Sequence, residues 1–280
     1  MTDPSANQDQ IKFWNEKAGR EWVDLQERMD ANLSGAHAAI MVFAAAKGGE
    51  DVLDIGCGTG TTSLALADSV GPRGTVTGAD ISRPMLELAR RRAQGRANLS
   101  FIEADASTHH FTSGSDLLFS RFGVMFFDDP TGAFANLRTA LKPGGRLAFI
   151  CWRTAPENRW ASAPLAAARP LLPDQPTPDP LAPGPFAFAD PDRIRAILGG
   201  AGFQDIHIGK QDGVMAMGCD SAVIAGQTLQ IGPLSRAVGE ADAATRARIV
   251  ERVQSALEEY RTAEGEIAPP TACWLVGARV

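Results

Sequence analysis

The sequence is poor in cysteine. Its four residues, Cys57, Cys151, Cys219 and Cys273, include no Cys-x-x-Cys spacing. That argues against a metal site and against a disulfide framework, and free thiols in a reducing compartment are expected. The chain has no apolar run near the ~18 residues that cross a bilayer, so no membrane span is expected. Its polar N-terminus has no apolar signal core, and a cytoplasmic location is the expectation. It also lacks an excess of positive charge: 27 Lys and Arg stand against 33 Asp and Glu, a net −6. A phosphate backbone demands a basic face, so no nucleic-acid partner is expected. The one basic cluster, Arg90-Arg91-Arg92, falls at the end of an expected helix, where it complements the dipole.

What is present is an ordinary globular composition, 44% hydrophobic and 21% charged over 280 residues. That length suits one large domain, or a domain with a cap. The chain is organised around Val52-Leu53-Asp54-Ile55-Gly56-Cys57-Gly58-Thr59-Gly60. A short apolar run that ends in glycines reads as a buried parallel strand and the turn after it. A helix is expected from Thr61 to Ser69. Gly56, Gly58 and Gly60 have no Cβ, so they can take positive φ and let a ligand lie against the backbone. The free N–H groups of the following helix favour a polar or anionic ligand group.

From there strands and helices alternate. Strands are expected at 75–80, 99–103, 115–120 and 146–152. Between them, a helix opens at Ser82-Arg83-Pro84 with Ser82 as N-cap and runs to about Gln94, and another opens at Asp129-Pro130 and stops at Lys142-Pro143-Gly144-Gly145. Alternation of this kind implies a parallel, doubly wound sheet. The leader, from Gln8 to about Lys47, reads as helices carrying Phe13, Trp14, Trp22, Leu25, Met29 and Leu33 on an apolar stripe. Residues 155–191 hold ten of the 18 prolines, which rules out a regular central element there, though 161–168 keeps a short helix. Later elements are a helix over 192–198, a strand over 203–208, helices from Val214 to Ala263 broken near Gly232-Pro233, and a last strand over 271–278.

A dinucleotide turn wants Gly-x-Gly-x-x-Gly. Counting from Gly56, the third glycine position is Thr61, and counting from Gly58 it is Ser63. The pattern present is Asp-x-Gly-x-Gly-x-Gly. It resembles the first motif of the class I S-adenosylmethionine (SAM)-dependent methyltransferases, in particular the type 11 or ubiquinone/menaquinone-biosynthesis-like group. Three further pieces carry the resemblance: Gly78-Ala79-Asp80-Ile81-Ser82, Glu103-Ala104-Asp105-Ala106 and Leu141-Lys142-Pro143-Gly144-Gly145-Arg146-Leu147. It covers about Asp51 to Trp152.

The implied fold is α/β: a doubly wound, seven-stranded Rossmann-like methyltransferase fold with its last strand antiparallel. Residues 1–47 are expected as an N-terminal helical lid. Residues 48–280 are expected as the methyltransferase domain, with the Pro-rich loop 155–191 and the helical insertion 214–263 forming the acceptor side. The implied cofactor is SAM, leaving S-adenosyl-L-homocysteine as product. Asp80, 20 residues beyond Gly60 at the tip of the second strand, is placed for the ribose diol. Asp105 and the Ala106 N–H are placed for the adenine, with Ile81 and Met85 on its face. Trp22 of the lid, Asp54, Gly56, Cys57, Gly58 and Gly60 of the first motif, and Ser120 after the fourth strand complete the expected cofactor residues. These strand tips share the carboxyl edge of one sheet, where such folds bind ligands.

After the fourth strand, Ser120-Arg121-Phe122-Gly123 is not the Asn/Asp-Pro-Pro-Tyr type of motif found in DNA and protein amide methyltransferases. With the acidic charge, this points to a small-molecule acceptor with an O, N, S or C nucleophile. Trp152, Phe126 and Phe127 are candidates for the acceptor wall. No catalytic residue is assigned. Methyl transfer from a sulfonium works by positioning, and a base is needed only where the nucleophile must lose a proton early. His109, His110 and Arg121 are the candidates, with Arg121 also suited to holding an acidic substrate group; His37 and His207 are the other histidines. No metal is expected, and a homodimer is left open. Two alternatives stand beside this reading: a SAM- or nucleoside-binding regulator without transfer activity, and a nicotinamide-dependent oxidoreductase, which the missing third glycine disfavours.

Overall fold

Seven strands form one sheet in the order β3-β2-β1-β4-β5-β7-β6. The computed structural model describes residues 7–173 and 179–280. Residues 1–6 of the expected lid, and Pro176 and Pro178 of the Pro-rich stretch, lie outside these. Four helices lead in: α1 (Gln8–Asn15), α2 (Lys17–Asp24), α3 (Gln26–Asn32) and α4 (Ser34–Ala44). The alternating core follows as β1 (Asp51–Ile55), α5 (Thr61–Val70), β2 (Thr75–Asp80), α6 (Arg83–Arg92), β3 (Leu99–Glu103), β4 (Ser115–Arg121), α7 (Pro130–Arg138) and β5 (Leu141–Trp152). The remainder is α8 (Arg159–Ala168), α9 (Pro191–Gly200), β6 (Gln204–Val214), α10 (Ser221–Thr228), α11 (Pro233–Val238), α12 (Ala243–Leu257) and β7 (Pro270–Arg279).

β1 is buried along nearly its whole length because strands and helices cover it on all sides, which is why it reads as an unbroken apolar run around Asp54. It pairs in parallel with β2 and with β4. The strand order therefore reverses at β1, and the crevice at the carboxyl ends of β1 and β4 is the switch point where ligands enter such sheets. β7 runs antiparallel between β5 and β6, as expected from the resemblance. Fully buried Leu66, Leu86, Leu117 and Leu118 hold the helices to the sheet. On the β5 side, Phe134 packs against Phe149, Phe188 and Phe203 with ring centroids 5.7–6.4 Å apart.

Four local expectations are corrected. Lys142 to Gly145 do not stop a helix but begin β5; α7 already ends at Arg138. A register shift between Ser115 and Leu117 absorbs the extra residues, and Gly144 supplies a positive φ. β6 continues to Val214, past the expected end at Ile208, because residues 209–214 pair with β7; the later helices begin at Ser221. Polar Lys210, Gln211 and Asp212 hide that extension from any apolar pattern. Ser82 stands at the N-cap of α6 without capping through its side chain; its hydroxyl donates to Trp14 O, 2.7 Å away. Arg92 does more than complement a dipole. Its Nη1 donates to Thr59 O (2.7 Å) and Thr61 Oγ1 (2.9 Å), tying the end of α6 to the glycine turn.

Candidate functional site

The turn after β1 takes the shape its glycines allow. Gly56, Gly58 and Gly60 have φ of +66°, +55° and +84°. The Gly56 and Cys57 N–H groups both donate to Ala79 O, so the turn is pinned to β2. A Cβ on Gly56 would lie 2.6 Å from Gly123 Cα, so the loops after β1 and β4 meet backbone to backbone. A Cβ on Gly60 would lie 3.0 Å from both Ala89 and Phe101, so this glycine serves helix packing. Gly58 is different: the one neighbour of its missing Cβ is the Met85 methyl, at 3.3 Å.

Asp80 answers that turn from the tip of β2. Its Oδ2 accepts from Gly58 N at 2.7 Å and its Oδ1 from Ser82 N at 2.8 Å. Burial pushes its pKa up, while the Ser82 and Gly58 amides pull the other way. Next along the edge, Asp105 Oδ1 accepts from Ser107 N (2.9 Å) and Ser107 Oγ (2.7 Å). The Ala104 N–H donates to Asp80 O at 2.9 Å, so the tips of β2 and β3 are joined. Met85 and Ala106 are buried beside them and Ile81 is half-buried. Gly58, Asp80 and Asp105 are thus brought to one rim.

Asp54 is fully buried behind the turn. Its Oδ2 accepts from Thr62 Oγ1 and Ser63 Oγ, each at 2.6 Å, which anchors the first turn of α5; its Oδ1 has no partner. Burial raises its pKa to about 6 against those hydroxyls. Cys57 contributes its backbone to the turn, while its side chain is buried against Gly78. Ser120 Oγ donates to Ile55 O at 2.8 Å and accepts from Gly123 N at 3.1 Å, stitching β4 to β1. Phe122 then takes φ +63° and stacks on Trp152, centroids 4.1 Å apart and 8° from parallel. Trp152 continues to Trp160 at 4.9 Å.

The leader closes over this edge. Asn15 Nδ2 donates to Ile81 O (2.7 Å), and Asn15 Oδ1 accepts from Arg83 N (2.9 Å). Asn7 donates through its backbone to Asp128 Oδ2 (2.7 Å) and through Nδ2 to Asp105 Oδ1 (3.1 Å). Trp14 sets its ring edge-on to Trp22 and to Phe126, at 6.0 and 5.5 Å. Trp22 therefore reaches the edge through Trp14. Asn7, Asn15 and Asp30 carry no motif, and their partners lie far away in sequence, so sequence reasoning missed them.

Other candidates are not gathered here. His109 and His110 are exposed, and His109 packs on Phe111 at 4.7 Å. His207 stacks on Phe43. Phe127 belongs to the core, edge-on to Phe134, and is not an acceptor wall. Arg121, by contrast, is nearly enclosed at the end of β4, beside Asp30 of α3. No helix among the described residues is long and apolar enough to cross a membrane.

A family model described as a methyltransferase domain matches residues 52–145. The aklanonic acid methyltransferase DauC of Streptomyces sp. (strain C5) is 41% identical over 133 residues, 46% of this chain and 56% of that protein. The demethylmenaquinone methyltransferase of Staphylococcus aureus is 29% identical over 157 residues, 55% of this chain and 64% of that protein. The match thus spans less than two thirds of either relative. Among solved structures, the Haemonchus contortus phosphoethanolamine N-methyltransferase 2, in complex with phosphomonomethylethanolamine and S-adenosylhomocysteine, superposes with a TM-score of 0.53 at 19% identity. That superposition covers 87% of this chain and 52% of that one.

Proposed function

Since the chain belongs to the class I methyltransferase family through residues 52–145, we propose that it transfers a methyl group from SAM to a small-molecule acceptor. The observation that carries this reading is the bond from Gly58 N to Asp80 Oδ2, which joins the glycine turn to the tip of β2, with Asp105 at the next tip. The residues fit such a cofactor. Gly58 offers bare backbone, and each Asp80 oxygen, having taken one amide, keeps a lone pair for a ribose hydroxyl. Asp105 Oδ1 already accepts from one primary amide, Asn7 Nδ2, and an adenine amino group presents the same donor chemistry.

SAM supplies a methyl carbon already activated by its sulfonium. The chain's own part is placement. Asp80 and Asp105 would hold the nucleoside at the rim beside the glycine turn. The Ser120 stitch and the Gly56–Gly123 contact hold the β1–β4 crevice to one width. Trp14 and Phe126 meet edge-on, 5.5 Å apart, and tie the leader to the loop after β4. Phe122 stacks on Trp152, which is itself buried against Trp160 of α8, so these rings brace the loop after β4. Small-molecule acceptors fit the acidic charge and the compounds after which both relatives are named.

Asp80→Ala removes the ribose acceptors and leaves the Gly58 amide unpaired. Calorimetry should show SAM affinity falling about 100-fold or more, as expected for two hydrogen bonds to a charged group. Unchanged affinity would sink the site. Methyl transfer from labelled SAM into a metabolite extract separates an enzyme from a binding protein without transfer activity.

A further inference from the structure

Register places Arg121 on the face that carries the first turn of α5. Asp54 pairs across the sheet with Phe119, and Arg121 is two residues further along β4, so both side chains leave the same face. Thr62 and Ser63 of α5 meet Asp54 on that face. Arg121 is 11% exposed, and its Nη2 lies 3.8 Å from Asp30 Oδ1. Asp30 in turn takes Thr61 Oγ1 at 2.7 Å and Arg92 Nη2 at 3.2 Å, so the guanidinium is moored to the start of α5.

Three buried orphans surround this mooring, and one of them, His37 Nδ1, belongs to a residue whose pKa burial and Arg121 push down. Arg121 Nη1 and Asp54 Oδ1 are both buried without a partner. A buried donor or acceptor left unpaired is costly, and these two are of opposite character. Beside the free N–H groups of a ten-residue helix, they match an α-amino acid zwitterion: carboxylate to the guanidinium, ammonium to the carboxylate. An acidic group on the acceptor would satisfy Arg121 too. The shared face with Asp54 and α5, at the glycine turn, favours the amino-acid end of the cofactor.

We propose that Arg121 binds the α-carboxylate of the cofactor's amino-acid tail, with Asp54 facing its ammonium. This rests on the SAM reading above. SAM and decarboxylated SAM differ in that carboxylate alone, so calorimetric titration with both isolates its partner. The native protein should prefer SAM by on the order of 10- to 100-fold, the range for a hydrogen bond to a charged group. Arg121→Gln should weaken SAM and leave decarboxylated SAM bound no more weakly than before, and Arg121→Lys, which keeps the buried charge, should retain part of the preference. A preference that survives Arg121→Gln overturns the assignment. So does a parallel loss of both ligands in Arg121→Lys, which would make the residue structural. Unchanged SAM affinity with a raised acceptor KM would move the guanidinium to the acceptor and equally overturn it. A native protein that binds neither ligand would instead fail the SAM reading itself.

Discussion

At the scale of single residues, Asp54 carries a cost that can be read as a pH effect. Burial raises its pKa from 3.8 to about 6. Between those values the folded protein holds a proton that the unfolded chain has released, so stability falls as pH rises through this window. The shift corresponds to about 3 kcal/mol. Asp54→Asn keeps the shape and cannot ionise. From pH 4 to pH 7 its unfolding free energy should therefore gain on that of the native protein by about 2 kcal/mol, most of the full shift. Urea titrations of both proteins at the two pH values check this, and a gap that does not move between them would refute it. The carboxylates held low by partners, such as Glu50 by Arg146 despite its own burial, are common to both proteins and cancel. Legibility at this scale followed locality. Asp80 stood out because its distance from the glycine turn is set by one helix and one strand. Asp30 did not, since it meets Thr61, Arg92 and Arg121 from 31, 62 and 91 residues away, and no short pattern encodes that meeting.

Among the elements, the leader is held to the site by few bonds, which makes its mobility adjustable. α1 buries none of its residues, so its packing contributes little and its polar ties decide how long it stays closed. Asn15 supplies two of them, to Ile81 and Arg83 on the loop that follows Asp80. Gly19 of α2 lies against the same loop; a Cβ there would sit 2.7 Å from Ser82 Oγ. Asn15→Ala removes both bonds, each worth about 0.5–1.5 kcal/mol net. Amide hydrogens of α1 and α2 should then exchange about 10-fold faster, with those of β1 and β4 unchanged. Equal exchange before and after the substitution would show that the remaining ties, those of Asn7, Ser82 and Asp30 with the contacts of Trp14, hold the leader without Asn15. The helices themselves were legible from their apolar stripe, and the strands from β1 to β4 nearly to the residue, β1 and β4 because burial makes them apolar runs and β2 and β3 because each ends at an acidic tip. The start of β5 and the end of β6 were not, since a register shift sets the first and the pairing of polar β6 residues with β7 sets the second.

On the scale of the whole molecule, α10, α11 and α12, which lie between β6 and β7 in sequence, meet the leader: Arg236 of α11 stands over the Phe13 ring of α1, 4.4 Å from its centroid. β7 pairs with both β5 and β6 over most of its length, so the insertion and the cofactor half share a core and should melt together. A ligand that binds the folded state alone stabilises it by about 2.7 kcal/mol at 100 times its Kd. At about 2 °C or more per kcal/mol for a chain of this size, SAM should raise Tm by about 5 °C. A nicotinamide dinucleotide should raise it by nothing measurable, because Thr61 and Ser63 stand where its turn needs the third glycine. The whole transition should move as one, including the near-ultraviolet signal of Trp160 in α8 and Trp274 in β7. Scanning calorimetry with either nucleotide distinguishes the outcomes. An equal shift with the dinucleotide would overturn the cofactor reading. A second transition that SAM leaves in place would show that the insertion folds as a separate unit, and the acceptor side would then have to be sought within residues 48–153.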